Sequence, residues 1–165
     1  MPNLARTFTE HWKTYSKINS LPQMSLSDFH NVTRQTDNRY QADYHGLTLS
    51  SALQPIYSID HQRIIGYEAL IRANDHQNLP ISPIDLLNAP KKEVDNIYLD
   101  RLCRYLHIAN FQSFSNEQNW LFLNVSALAS GRGRNYGLFF SQLLAYFNIE
   151  ATNVVVEIIE DPSSD

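Results

Sequence analysis

The sequence has few of the features that mark disulfide-linked, metal-thiolate or membrane proteins. Cys103 is the only cysteine among 165 residues, so neither an intrachain disulfide nor a cysteine metal cluster can form. No apolar run approaches the roughly 20 residues of a membrane span, and the N-terminus lacks the apolar stretch of a signal peptide. Lysine and arginine number 13 against 17 acidic residues, which argues against a nucleic-acid polymer as partner. We therefore expect a soluble cytoplasmic protein.

Several motifs that mark familiar enzyme classes are also missing. The six histidines include no pair four residues apart, which argues against a zinc or haem site, and we expect most of them in turns or at the surface. No G-x-S-x-G motif occurs, and no glycine-rich phosphate loop follows a strand, because "GRGRNYG" reads as a turn before a helix. Any chemistry must then come from other polar residues.

Residues 1–46 read as an N-terminal helical extension. A first amphipathic helix is predicted to end before Pro22, with an apolar face made of Phe8, Trp12, Tyr15 and Ile18. A second is predicted from about Ser27 to Thr36, since "SLSD" offers capping side chains. We place the main domain at residues 47–165.

Strand and helix patterns alternate after residue 47. "LTLSSALQPIYSI" and "RIIGYEALIRA" predict a β-hairpin around the turn residues "DHQ". "SPIDLL" predicts a helix capped by Ser82, and a longer helix is predicted from about Val94 to Phe114. On that helix we expect the solvent-facing residues to be Asp100, Arg101 and Arg104. Cys103 is expected to be a small buried residue.

Two further strands complete the pattern. "NWLFLNVSALA" and "NVVVEIIED" read as strands, separated by the amphipathic helix "LFFSQLLAYFNI". Alternation of strand, helix and strand implies parallel pairing through crossover connections, so the fold class is α/β.

Polar side chains interrupt three of the predicted strands. Glu68 and Arg72 share one face of their strand, while Asn124 and Glu157 are isolated among apolar neighbours in "FLNVS" and "VVEII". If these strands lie side by side, Glu68, Asn124 and Glu157 could form an all-oxygen cluster suited to Mg²⁺, Mn²⁺ or Ca²⁺. The alternatives are a solvated glutamate, half of a structural ion pair, or an asparagine that caps a turn.

The quoted strands resemble a known family. "LQPIYSIDHQRIIGYEALIR", "ISPIDLL", "FLNVS" and "VVVEIIE" follow in the order of the EAL domain signatures, from about Leu49 to Glu160. The EAL domain is the cyclic-di-GMP phosphodiesterase barrel of bacterial signalling. The resemblance implies the first half of a TIM-like (β/α) barrel with an N-terminal helical extension, since about four strands are recognised and a complete barrel has eight in about 250 residues.

The resemblance also implies residue roles. The implied metal ligands are Glu68, Asn124 and Glu157. Arg72 would bind a substrate phosphate, Gln54 would contact the substrate, and Glu160 would support a loop at the metal site. In the complete domain, two Mg²⁺ or Mn²⁺ ions would activate a water for in-line attack on one phosphodiester bond, giving linear pGpG.

Two functions stay open on the sequence. The later acidic and lysine residues of the family would follow Asp165, so we expect the N-terminal half of a cyclic-di-GMP phosphodiesterase that is inactive alone. The alternative is a non-catalytic EAL-like module that binds cyclic di-GMP or a protein partner. In either case the strand edges need cover, from a missing C-terminal half, from a second copy in a homodimer or from the N-terminal helices.

Overall fold

The computed structural model describes residues 24–114, 119–126 and 136–159. Strands β1 to β7 are Val32–Arg34, Tyr40–Tyr44, Leu47–Ser58, Arg63–Asn74, Pro80–Ile81, Trp120–Ser126 and Val154–Ile159. Helices α1 to α3 are Pro83–Asn88, Glu93–Phe114 and Tyr136–Tyr146, and single 3-10 turns lie at Leu26–Asp28 and Ala151–Asn153. Among these residues, no helix is both long enough and apolar enough to cross a membrane.

All seven strands belong to one mixed sheet. Its order is β1-β2-β3-β4-β6-β7, with the short β5 paired to β4. Strands β3 and β4 form the long antiparallel hairpin that the sequence predicts, and Gln62 adopts a positive φ of 50° in its turn. Strands β4, β6 and β7 pair in parallel, which confirms the prediction from the strand-helix-strand pattern. The predicted helices after residue 82 are also confirmed as α1, α2 and α3.

The helix predicted from Ser27 to Thr36 is wrong. Only a single 3-10 turn forms at Leu26–Asp28, and the chain then enters β1, which pairs with β2. Local capping residues favoured a helix, but pairing of β1 with β2, which is itself bonded to α2, outweighs that preference. The Asn110 side chain on α2 accepts a hydrogen bond from the Tyr40 backbone N–H and donates one to its carbonyl, both at 3.0 Å. The helix predicted before Pro22 lies outside the described residues.

Helix α2 is buried on nearly every side. It contacts β2, β3, β4, β6 and α3, and the fully buried Leu99, Leu102 and Leu106 lie in the core between them. The prediction that Asp100, Arg101 and Arg104 face solvent is therefore wrong, because all three are buried too. Cys103 is buried as predicted, and burial raises the pKa of its thiol to about 12.

The two faces of the sheet have different environments. Alternation along the strands turns Ala69, Ile71, Leu121 and Leu123 into the core beneath α2. Their neighbours in sequence therefore point to the opposite face, where polar residues are found. The candidate functional residues lie on this second face.

Candidate functional site

Four polar residues occupy neighbouring positions on one face of the sheet. The antiparallel register sets Gln54 of β3 directly opposite Glu68 of β4. On the parallel side, Glu68 pairs with Phe122, two residues before Asn124 on the same face of β6. Asn124 in turn pairs with Glu157 of β7. Three strand pairings thus bring residues from widely separated segments to one patch.

Glu68 and Asn124 are in direct contact. The Asn124 Nδ2 donates a hydrogen bond of 2.6 Å to Glu68 Oε1, although the two residues are 56 positions apart in the chain. Both residues are half-buried. Within the described part of the chain, no lysine or arginine forms an ion pair with Glu68. Among the described residues, the Asn124 amide is the only side-chain hydrogen-bond donor to its carboxylate. The carboxylate is therefore not half of a structural ion pair in the described region.

Glu157 and Gln54 flank this pair and are exposed. Glu157 lies beside Asn124 on the adjacent strand, and paired strands are separated by about 4.8 Å. The structure therefore brings Glu68 and Asn124 into contact and sets Glu157 next to them. Whether the three bind a metal ion stays a prediction. Among the described residues, no three His, Cys, Asp or Glu side chains form a metal-binding group, so the oxygen cluster depends on the Asn124 amide.

Arg72 lies farther along the same face. It is four residues beyond Glu68 on β4, or about 13 Å at the usual rise of a strand, so the two side chains of "EALIR" do not pair with each other. Arg72 is exposed, and its NH1 donates a 2.9 Å hydrogen bond to the Ile71 carbonyl. Glu160, the residue implied to support a metal-site loop, lies outside the described residues.

A buried charged pair lies behind the Glu68–Asn124 contact. Arg104 of α2 donates from NH2 to Asp100 Oδ1 at 2.7 Å and from NH1 to the backbone carbonyl of Asn124. Both charged residues are buried. Sequence reasoning placed them at the surface and missed this contact. The available signal was an acid and an arginine four residues apart within a helix whose other faces are rich in leucine.

His107 is a second buried polar residue on α2. Its Nδ1 lies 2.7 Å from Ser51 Oγ of β3. Burial, assisted by the nearby positive charges of Arg104 and Arg72, lowers the pKa of His107 from 6.5 to about 3. His107 is therefore the exception among the described histidines, because the others are exposed as expected for most of them, namely His30, His45, His61 and His76.

Comparison with known protein families identifies the family of the chain that carries this site. The family model for the EAL domain matches residues 37–164. The chain belongs to the EAL domain family. No individual curated protein matches the chain significantly.

Solved EAL structures share the fold at low sequence identity. The cGMP-bound EAL enzyme Bd1971 is 16% identical with a TM-score of 0.58, over 67% of this chain and 32% of that one. The c-di-GMP-bound standalone EAL protein from Vibrio cholerae O395 is 21% identical with a TM-score of 0.55, over 71% and 47%. BlrP1 from Klebsiella pneumoniae, in its manganese/cy-diGMP complex, is 18% identical with a TM-score of 0.57, over 78% and 30%.

This EAL chain therefore spans less than half the length of these solved relatives. Its fold is α/β and corresponds to part of an EAL barrel. The expectation of a partial barrel, drawn from the resemblance, is confirmed.

Proposed function

We propose that this chain is the N-terminal half of a cyclic-di-GMP phosphodiesterase. In this proposal Glu68, Asn124 and Glu157 are ligands of a divalent cation, and Gln54 and Arg72 contact the dinucleotide. The observation that carries the proposal is the contact between Glu68 and Asn124, with Glu157 on the next strand. Two of the solved relatives were obtained with cyclic di-GMP, one of them also with manganese.

The chemistry of the donor side chains fits a hard cation. Carboxylate and amide oxygens are the preferred ligands of Mg²⁺ and Mn²⁺, and no nitrogen or sulfur ligand is needed. Glu68 also lacks an ion-pair partner among the described residues, so its negative charge is available to a cation. When bound, such a cation would lower the pKa of a water molecule and stabilise the leaving oxygen of the phosphodiester.

The fit requires one local rearrangement. Asn124 presents its Nδ2 to Glu68, whereas a cation would be bound by Oδ1. The two amide orientations have nearly the same shape, and rotation about the Cβ–Cγ bond exchanges them. The hydrogen bond therefore holds the amide beside Glu68 without blocking an oxygen-ligand arrangement.

Gln54 and Arg72 are suited to the substrate because both are exposed on the same face as Glu68. The guanidinium of Arg72 can bind two phosphate oxygens at once, which a lysine ammonium cannot do with the same geometry. Its distance of about 13 Å from Glu68 along the strand is compatible with a dinucleotide that reaches beyond the cation.

The decisive test is Mn²⁺ binding and cyclic di-GMP hydrolysis by the full-length natural protein and its Glu68→Gln variant. We expect Glu68→Gln to weaken Mn²⁺ binding by more than about 100-fold, the upper end for partners outside the ligand shell, and to abolish pGpG formation. Glu93→Gln is the matched control, since Glu93 is an exposed glutamate at the start of α2. Calorimetry gives the affinity, and chromatography of the nucleotides gives the activity. Unchanged Mn²⁺ affinity in Glu68→Gln would refute the metal role.

A non-catalytic module is the second candidate. Glu68 and Asn124 satisfy each other without a cation, and this observation favours a domain that binds cyclic di-GMP or a protein without hydrolysis. Binding of cyclic di-GMP that is unaffected by Glu68→Gln, together with no pGpG at any Mn²⁺ or Mg²⁺ concentration, would support this second function. The chain alone is expected to be inactive under the first proposal.

A further inference from the structure

Arg104 connects the interior of helix α2 to the strand that carries Asn124. We infer that Arg104, held by Asp100, is a positioning residue that fixes the Asn124 side chain against Glu68. This inference rests on the proposed function for its consequence in metal binding. The contact that it describes can be tested without any metal.

The planar guanidinium of Arg104 links two groups. One amino group of Arg104 donates to Asp100 Oδ1, and the other donates to the Asn124 carbonyl. In the described region, the pairing of β4 with β6 ends at Ala69 and Leu123, one residue before Asn124. Arg104 thus supplies a donor to β6 just where pairing with the strand that carries Glu68 has ended.

This contact restricts the backbone that orients the candidate ligand. On the far side, β6 remains paired with β7 beyond Asn124, so the Arg104 hydrogen bond and the β7 pairing together hold the peptide of Asn124. The direction of the Cα–Cβ bond follows from that backbone. A rotation of this peptide would move Asn124 Nδ2 away from Glu68. The 2.6 Å hydrogen bond from Nδ2 to Glu68 Oε1 would then lengthen and weaken.

Stability alone is a weak explanation of the buried pair. A buried ion pair gains little over well-packed apolar residues, because desolvation of two charges offsets their attraction. Asp100 Oδ2 is also buried without a hydrogen-bond partner among the described residues, which adds to the cost. The specific effect of the pair is to hold the Arg104 guanidinium in one orientation. In that orientation it donates a hydrogen bond to the Asn124 carbonyl.

The metal-free test uses Arg104→Lys in the chain and NMR of the Asn124 side-chain amide, assigned by its loss in Asn124→Asp. A lysine keeps the charge but not the planar fork, so we expect the Asn124 Nδ2 resonances to shift or broaden. Ile108→Val is the control, because Ile108 is fully buried one turn along the same helix and its truncation lowers stability without removing a hydrogen-bond donor or acceptor. Asp100→Asn should move the same resonances in the same direction, and it serves as the second variant if Arg104→Lys does not fold. Unchanged Asn124 resonances in a folded variant would overturn the inference.

The second test measures Mn²⁺ affinity in a double-mutant cycle. Arg104→Lys should weaken Mn²⁺ binding about 10- to 100-fold in the wild-type background, as expected for an outer-shell partner. In the Asn124→Ala background it should cause almost no further loss, because the side chain that it positions is absent. Equal losses in both backgrounds would overturn the positioning role and indicate general destabilisation.

The two tests separate this inference from the proposed function. If the wild-type protein does not bind Mn²⁺ while the Asn124 resonances respond to Arg104→Lys, the positioning contact is supported and the metal role fails. If Mn²⁺ binds and Glu68→Gln abolishes it, but neither readout responds to Arg104→Lys, the metal role is supported and the positioning role fails.

Discussion

The candidate site depends on single polar side chains in otherwise apolar strands. Glu68 and Asn124 were recognisable because a carboxylate or an amide in a covered strand requires a partner. The structure supplies that partner by pairing the two residues with each other. Residue chemistry thus predicted that a contact was needed, whereas only strand pairing determined which residues make it.

His107 leads to a prediction about pH at the same scale. Its pKa is lowered to about 3 in the folded protein and is about 6.5 in the unfolded chain, so the unfolded state takes up the proton first as pH falls. Above pH 6.5 the imidazole is neutral in both states, so its burial does not reduce the free energy of unfolding. As pH falls from 6.5 towards 3, the free energy of unfolding decreases by up to about 1.4 kcal/mol per pH unit. We expect the free energy of unfolding of wild type to decrease more steeply between pH 6.5 and 4.5 than that of His107→Gln.

Urea unfolding of both proteins at several pH values measures this difference. Glutamine keeps an oxygen that can accept the hydrogen bond from Ser51, so the comparison isolates the proton equilibrium of the imidazole. Parallel pH dependences would show that His107 is protonated as readily in the folded state as in the unfolded chain.

At the scale of elements, close approach of β4 and β6 is the condition for the Glu68–Asn124 contact. Gly66 lies two residues before Glu68 on the same face of β4. A Cβ atom there would lie 2.5 Å from the Trp120 carbonyl oxygen and 2.9 Å from Phe122 Cε2. The first of these atoms belongs to the backbone and cannot move away by a rotamer change. The absence of a side chain at Gly66 therefore permits the strand spacing.

Gly66→Ala is expected to destabilise the fold by about 1–3 kcal/mol, the usual cost of overpacking a well-packed contact. The same change should push β6 away from β4 and weaken the contact between Asn124 and Glu68. Thermal unfolding and the Asn124 amide resonances measure the two effects. Gly46→Asn is the control for backbone strain without a steric clash, because Gly46 has a φ of 79° and an added Cβ there would meet no atom within 4 Å, and asparagine adopts that conformation more readily than most residues. A Gly66→Ala protein as stable as wild type would contradict this account.

At the scale of the molecule, β7 ends the strand order of the described sheet. Val156 and Ile158 pair with Leu123 and Val125, which are fully buried, yet they are 40% and 63% exposed. In the described region, the core that buries these residues of β6 therefore leaves Val156 and Ile158 of β7 uncovered. An apolar face on an edge strand, whose outer side has no partner strand in the described sheet, favours association with another polypeptide.

We therefore expect this chain on its own to self-associate with increasing concentration and Ile158→Lys to reduce that association. Charge on an exposed strand opposes edge-to-edge pairing and removes apolar surface from the contact. Analytical ultracentrifugation measures the mass distribution. Ile59→Lys is the matched control, since Ile59 is 83% exposed in the β3–β4 turn. A strictly monomeric wild-type chain, or equal association of both variants, would contradict the prediction.

The errors in the sequence-based predictions have a common physical cause. Periodicity along α2 distinguishes apolar from polar positions, but it does not reveal how many layers surround the helix. Asp100, Arg101 and Arg104 were therefore assigned to solvent, although strands on one side and α3 on another enclose them. The segment around Val32 was assigned to a helix for a related reason, since pairing with β2 outweighs the local preference.

Apart from the short β5, sequence alone determined the strand and helix order after residue 47, the α/β class and the polar residues of the candidate site, because side-chain period and motif order are properties of the chain itself. Tertiary structure decided that Asn124 meets Glu68, that Arg104 reaches the Asn124 carbonyl, and that β1 and β2 extend the sheet. These contacts depend on register and packing between segments far apart in the chain, and neither quantity is encoded in a local pattern.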